Sequence, residues 1–382
     1  MKSGVLLVAN YSNKTGYAWN NIYRLFGEIG KALKPLGVDT YVSFANINPP
    51  VDNFDPKLGF SFYEYEPADK SLKNAIRLLK FVSKHNIKYV YLTDQGAFDL
   101  RYALLRLAKV EKIIVHCRIS VSDPYPATYE GGVRGQIKSL LGKWDLICAD
   151  KIYAVSDFVK NRLLLKNRLP QKRVIKILNG IDIHRFAPVV KNSTVTRPEY
   201  VRIFVGGRAT RHKGIHVLIE AAATLKNDTE TPFEIRYAGD GPDINYFKQL
   251  VKEKNLEKEF IFLGELSSTH DEVIHADIIV VPSIWGDACP SSVSEALASG
   301  VPLITTSVGG VPEIVGQDNN AILVPPGDPD SMRQALVRLI NSFELRVEIG
   351  KNGRNRAIEA LDERAYHQTV IRQLLNDFGI NE

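Results

Sequence analysis

The sequence predicts an α/β protein built from two similar halves, each a parallel β-sheet with helices on both faces. Three observations carry this. Short apolar runs alternate with amphipathic helical segments from one end to the other. The alternation pauses once, at "FAPVVKNSTVTRPEY" (residues 186–200), which is rich in Pro, Ser, Thr and Asn. And 382 residues exceed the size at which a single core stops growing.

In the first half, "GVLLVAN" reads as a strand, "YSNKTGYAW" as a Gly-containing loop and "NIYRLFGEIGKALKPLG" as a helix. Strands follow at "DTYVSF", "YVYLTD", "KIIVHCR" and "KIYAVS", separated by helical segments such as "KSLKNAIRLLKFVSK". After the pause, the second half runs strand "VRIFVGG", helix "GIHVLIEAAATLK", strand "FEIRYAG", helix "DINYFKQLVKEK" and strand "FIFLGE". Strand "DIIVVPS", helix "SVSEALASG" and strand "PLITT" complete it. The closing segment "ERAYHQTVIRQLLNDFG" is an amphipathic helix with no strand after it. The expected division is 1–188, 189–362 and a terminal helix over 363–382 that returns to the first domain, with a ligand cleft between the halves.

Composition excludes several classes. Apolar residues make up 45% and charged residues 24%, ordinary for a globular protein. Cys117, Cys148 and Cys289 lie far apart and give neither a disulfide framework nor metal-ligand spacing. The opening "MKSGVLLVANYSN" is too short an apolar run for a secretion signal, so a cytoplasmic location is expected, with membrane association at the inner face. A net charge of +6 and a pI of about 9.0 suit phosphate-rich ligands or an anionic membrane. The basic residues form no tail or nucleic-acid motif, so no nucleic acid is expected.

Candidate chemistry gathers at turns that follow strands, where open α/β sheets bind ligands. "FVGGRATRHKG" places Gly206, Gly207, Arg208 and Lys213 after the first strand of the second half, glycines for close backbone approach and two cations for a diphosphate. Its spacing matches neither common phosphate-loop fingerprint. A strand-end turn with two solvated cations would look the same. "YAGDGPD" (Tyr237 to Asp243) is a second Gly-rich turn after a strand that could hold phosphate, and a tight turn with an Asp capping a helix would look the same. Asp328 and Asp330 in "GDPDSM" read as a helix cap rather than a metal site, and no metal is assigned. In "IWGDACPSSVSEALASG", Asp287 and Glu295 flank a helix start that offers free N–H groups to an anion. Carboxylates there suit sugar and ribose hydroxyls. Ser292-x-x-Glu295 also fits a capping box, in which the glutamate touches no ligand.

These motifs together resemble the retaining glycosyltransferases of family 4, which have two Rossmann-like domains, the GT-B fold. The resemblance rests on Asp287-x7-Glu295 followed by "EALASGVP", on "TTSVGGVPEIV" with Gly309, Gly310 and Glu313, and on "AGDGP", "FLGEL" and "VPPGD" in order. "KILNGIDIHRFAP" and "VSDFVKNRL" extend it into the first half. It implies that Arg208 and Lys213 clamp the donor diphosphate, Glu295 binds the ribose and Asp287 the donor sugar. Ala288, Cys289, Pro290, Ser291 and Ser292 would form the helix start around the donor, and the backbone from Leu263 to Leu266 would meet the base. His116 would be the active-site histidine, against a reading as a satisfied core residue. Gly16 would face the donor phosphates. Two departures from the pattern are Asp287 in place of a glutamate and a first loop without a glycine pair, where Gly16 has Tyr17 and Trp19 nearby.

The implied reaction moves a hexose from a nucleoside diphosphate sugar, first of all UDP-glucose, to a hydroxyl of a glycan or lipid-linked acceptor, with retention and with no cofactor beyond the donor. A nucleotide-sugar epimerase and a non-catalytic nucleotide-sugar binder share this architecture. Lys70, Lys73, Arg77, Lys80 and Lys84 recur every three or four residues and form one helical stripe, read either as solvated surface or as a peripheral membrane contact. Leu72, Ala75, Ile76, Leu79 and Val82 are expected to fall largely on the sheet side.

Overall fold

The computed structural model describes residues 2–10, 17–44, 60–63, 65–67, 69, 71–118, 136–137, 140, 144–189 and 200–380. Gly16 and Lys70 lie outside them. The chain forms two compact units. Of the described residues, the first takes those up to Ile177 together with those from Tyr366 onward, and the second those from Leu178 to Ala365.

The first unit contains β1 (Gly4–Ala9), α1 (Tyr17–Leu33), β2 (Asp39–Phe44), β3 (Phe60–Phe62), α2 (Leu72–Lys84), β4 (Ile87–Thr93), α3 (Leu100–Leu107), β5 (Lys112–Cys117), β6 (Lys151–Ala154), α4 (Asp157–Leu165) and β7 (Val174–Lys176). The second contains β8 (Val201–Gly206), α5 (Ile215–Leu225), β9 (Phe233–Ala238), α6 (Ile244–Glu253), β10 (Phe260–Gly264), α7 (His270–His275), β11 (Ile278–Val281), α8 (Ser291–Ser299) and β12 (Leu303–Thr306). Then follow α9 (Val311–Val315), β13 (Ile322–Val324), α10 (Pro329–Asn341), α11 (Phe343–Ala360) and α12 (Glu363–Phe378).

Among the described residues the first sheet has the order β3-β2-β1-β4-β5-β6-β7 and the second β10-β9-β8-β11-β12-β13, with parallel pairing throughout. Both are doubly wound, and the strand order reverses beside β1 in one and beside β8 in the other. The central strands read as continuous apolar runs because helices cover both faces: all six residues of β1 and all four of β11 are buried. This is the α/β, paired Rossmann-like architecture that the sequence predicts.

The terminal helix α12 belongs to the first unit's core. Tyr366, Val370, Leu374, Leu375 and Phe378 pack with Ile22, Phe26 and Tyr91, and Phe378 stacks on Tyr89 at 4.5 Å between centroids. The Tyr153 hydroxyl donates to Asp377 at 2.7 Å. The change between units falls at 177/178, ahead of residue 188 expected from the Pro- and Ser-rich stretch. Residues 178–188 are tied to the second unit before that stretch begins. Ile181 pairs with Asp362, and Arg354 donates to the Ile183 carbonyl at 2.7 Å. Hydrogen bonds made by one turn fix a boundary that composition places later.

The helix α2 also departs from expectation. Its buried residues are Asn74, Leu78 and Val82, while Leu72 and Ile76 are exposed. The helix is rotated so that Asn74 can donate to the carbonyls of Glu66 and Asp69, both at 2.8 Å. A buried amide must find such partners, and two outward apolar side chains are the consequence.

Candidate functional site

In a doubly wound sheet, ligands bind beyond the carboxyl ends of the strands where the order reverses. In the second sheet that point lies between β8 and β11, and the two loops that the sequence singles out leave from these strands. Gly206 to Lys213 follows β8, and Pro282 to Pro290 follows β11.

The loops are pressed together. The Ile284 N–H donates to the His212 carbonyl at 2.9 Å. Gly214 adopts φ +72°, and a Cβ there would lie 1.8 Å from the Pro282 oxygen, so only glycine fits. The Lys213 ammonium pairs with the Asp287 carboxylate, both side chains keeping partial exposure. The groups expected on the diphosphate and on the donor sugar therefore touch each other. Asp287 is fixed from behind, its carbonyl accepting from the Gly310 N–H at 2.8 Å. This is where the Gly309-Gly310 pair acts. Arg208 is exposed on the same loop.

A third loop supports the first. The Ala209 N–H donates to the Asp240 carbonyl at 2.9 Å, and the Arg211 N–H to Asp243 Oδ2 at 2.7 Å. Asp243 stands at the start of α6 but makes no side-chain cap, so the capping role read from "YAGDGPD" is corrected: its carboxylate serves the β8 loop. Asp328 does cap α10, accepting from the Asp330 and Ser331 N–H groups.

The capping box at Ser292 is corrected too. The N-cap of α8 is Pro290, with no side-chain cap, which places Ser292 inside the first turn. Glu295 lies one turn further, 7% exposed, and its carboxyl bonds to the Ser291 side chain. Burial pushes the Glu295 pKa up to about 7, against the opposing pull of the Ser291 bond, Arg185 and His270. Those two come from elsewhere in the same unit. The His270 ring meets the Arg185 carbonyl at 2.7 Å, and Arg185 donates to Ser268 Oγ at 3.2 Å. Leu263 and Gly264 end β10, and Glu265 and Leu266 lead on toward Ser268 and His270. Ala288 is buried and Cys289 partly buried at the entrance to α8.

A raised folded-state pKa on an acid means that the folded chain holds the proton more tightly than the unfolded chain. Stability is therefore expected to fall as pH rises from about 4.5 to about 7, by roughly 3 kcal/mol from this one group. Denaturant unfolding at both ends of that window checks it. Glu295→Gln should remove this part of the slope, and an unchanged slope would place the proton elsewhere.

His116 belongs to the first unit. It is 0% exposed, its Nδ1 lies 2.5 Å from the Tyr91 hydroxyl, and the rings of Tyr153 and Tyr366 surround it. Burial, and secondarily Arg118, hold its pKa well below the usual imidazole value, so the ring is neutral. The burial is that of a core histidine, yet among the described residues its Nε2 has no hydrogen-bond partner, so the ring is not the fully satisfied core residue of the alternative reading. His116→Ala is expected to cost about 2–4 kcal/mol in denaturant unfolding, through the cavity and the stranded Tyr91 hydroxyl. Calorimetric UDP affinity should not change. A large loss of turnover with full stability would restore the catalytic role.

Sequence reasoning missed Trp285 and His212. Their rings are near-parallel, 21° apart with centroids at 5.9 Å, on the two loops that carry Asp287 and Lys213. Trp285 is 47% exposed, an indole at the mouth of a polar turn. A tryptophan beside Gly286 was the available signal.

Two parallel, doubly wound Rossmann-like units are the architecture of the GT-B fold. Residues 190–356 match the family model for glycosyl transferases group 1. Among curated relatives, the putative colanic acid biosynthesis glycosyltransferase WcaL of Escherichia coli is 28% identical over 59% of this chain and 55% of its own length. The Escherichia coli UDP-Gal:alpha-D-GlcNAc-diphosphoundecaprenol alpha-1,3-galactosyltransferase is 24% identical over 77% of this chain and 76% of its own. Among solved structures, a glycosyltransferase from Rickettsia africae superposes with a TM-score of 0.79 at 20% identity, covering all of both chains. Anabaena HepE in complex with UDP gives 0.76 at 16% identity, over 98% of this chain and all of that one. No described helix is long and apolar enough to cross a membrane.

Proposed function

We propose that the protein transfers a hexose from a nucleoside diphosphate sugar, UDP-glucose first, to a hydroxyl of a glycan or lipid-linked acceptor with retention of anomeric configuration. The observation that carries this is the row of four loops after β10, β9, β8 and β11, adjacent along one sheet edge. Three strand spacings of about 4.8 Å make a platform of roughly 14 Å, long enough for an extended nucleoside diphosphate. In this reading Leu263–Leu266 at the end of β10 serve the base and Arg208 and Lys213 after β8 the diphosphate, while Asp287 and Glu295, which both follow β11, serve the sugar and the ribose. The relatives agree in kind: one is named as a UDP-galactose transferase, and HepE is crystallised with UDP-glucose. The colanic acid relative suggests polysaccharide assembly.

Chemically, the bond from the anomeric carbon to the β-phosphate oxygen breaks as the acceptor oxygen bonds on the same face. The acceptor proton passes to the departing phosphate oxygen. Negative charge grows on the diphosphate, so fixed cations at Arg208 and Lys213 and the uncapped N-terminus of α8 stabilise the transition state.

Incubation with UDP-glucose labelled in the sugar, plus soluble or lipid-diphosphate acceptors, tests the proposal. UDP release with an α-linked product is expected from the α-linked donor. An inverted product overturns retention. Epimerised donor, or binding without turnover, would favour the epimerase or the binding protein. Because Arg208 and Lys213 supply the charge, transfer is expected to persist in EDTA. Loss on chelation, restored by Mg²⁺ or Mn²⁺, would show that a metal does this work.

A further inference from the structure

The exposed side of α2 combines apolar and basic side chains. Leu72 is 74% exposed and Ile76 43% exposed, one turn apart on the same face. At 100° per residue, Leu72, Ile76, Lys80, Lys73, Lys84 and Arg77 span a continuous arc of about 140°. Asn74, Leu78 and Val82 face the opposite way, into the unit. The apolar pair forms one border of the arc and the four cations fill the remainder. No acidic residue occurs between Asp69 and Asp94 in the sequence. Among the described residues, Lys73, Lys80 and Lys84 make no ion pair with a carboxylate. The neighbouring helix α3 packs beside α2 and exposes Leu100 at its own start. In a parallel sheet, helices begin at the carboxyl edge of the strands, so Leu72 and Leu100 both stand at the first unit's ligand-binding edge.

We propose that this arc of α2, with Leu100, docks on the surface of an anionic lipid bilayer. Leu72, Ile76 and Leu100 enter the boundary between headgroups and acyl chains, and Lys73, Arg77, Lys80 and Lys84 meet lipid phosphates. Charge complementarity selects this occupant. Four cations without an acidic residue among them fit a uniformly negative plane, and exposed aliphatic side chains fit its apolar margin better than a purely polar polyanion. The 13-residue helix, about 20 Å long, lies flat on such a plane. The proposal rests on the glycosyltransferase reading only for its purpose, which is to bring a lipid-linked acceptor to the sheet edge where α2 and α3 begin.

The full-length protein is sedimented with vesicles of phosphatidylcholine alone and of phosphatidylcholine with about one third phosphatidylglycerol, at low and at physiological salt. Binding to the anionic vesicles only, weaker at higher salt, is expected. Lys73→Glu, Lys80→Glu and Lys84→Glu together should lower the partition coefficient about a hundredfold. Leu72→Ser with Ile76→Ser should lower it about tenfold at unchanged salt dependence. All substituted side chains face solvent, and UDP affinity by calorimetry reports that each variant is folded. Equal partition of wild type and variants overturns the proposal. So does absence of wild-type sedimentation at low salt, or retention on heparin without vesicle binding. Failure of the wild type to bind any nucleoside diphosphate would sink the donor reading and leave this surface standing.

Discussion

Gly214→Ala should abolish measurable UDP binding and destabilise the protein by about 4 kcal/mol or more. Two costs combine. The residue sits at φ +72°, where a side chain adds about 1–2 kcal/mol of backbone strain. Its Cβ would also lie 1.8 Å from the Pro282 oxygen and 2.8 Å from the Pro282 carbonyl carbon, backbone that cannot rotate away. The β8 and β11 loops must then separate, breaking the Ile284 to His212 hydrogen bond and pulling Lys213 from Asp287. Gly37→Ala is the internal control. Its φ is +72°, but nothing lies within 4 Å of the position a Cβ would take, so only the strain remains. Denaturant unfolding and UDP calorimetry on both variants separate the effects. Similar modest losses in the two would mean that the loops are not clamped at Gly214.

The same contacts show what the sequence could reveal. Long strands buried on both faces announce themselves as apolar runs, which is why β1, β8 and β11 are legible. The three-residue strands β3, β7 and β13 are too short for any periodicity, and their pairing comes from the sheet edges they join. Asp287, Glu295, Arg208 and Lys213 are legible as residue types at strand-to-helix turns. Their relations are not. That Lys213 and Asp287 pair depends on how two loops separated by 74 residues converge. Ser292-x-x-Glu295 obeys the local capping rule, yet the helix starts at Ser291, and tertiary burial rather than the cap fixes the glutamate. In α2 the stripe of cations was readable, but the rotation that exposes Leu72 and Ile76 follows from two carbonyl acceptors for Asn74 that the helix pattern does not encode.

Lys213 and Asp287 should respond to substitution in opposite directions, and the contrast decides what each does. Lys213→Ala removes a cation from the diphosphate, a charge-assisted contact of about 1.5–3 kcal/mol, and should weaken UDP ten- to hundredfold. Arg208→Ala should act in the same sense, since the proposal puts both cations on one diphosphate. Asp287→Ala instead frees Lys213 from its partner in the unliganded protein. For a partly exposed pair that release is worth about 1 kcal/mol, so UDP affinity should hold or rise up to about fivefold. The cost appears with the sugar attached. A carboxylate that binds the hexose hydroxyls contributes only when a hexose is present, so Asp287→Ala should erase any preference for UDP-glucose over UDP and lower kcat. The two changes share a contact and should be non-additive in UDP binding, the double variant resembling Lys213→Ala alone. Calorimetry of UDP and UDP-glucose on the four proteins provides the cycle. If Asp287→Ala weakened UDP as much as Lys213→Ala does, the aspartate would be holding the lysine in place for the phosphate, and its role at the sugar would fall.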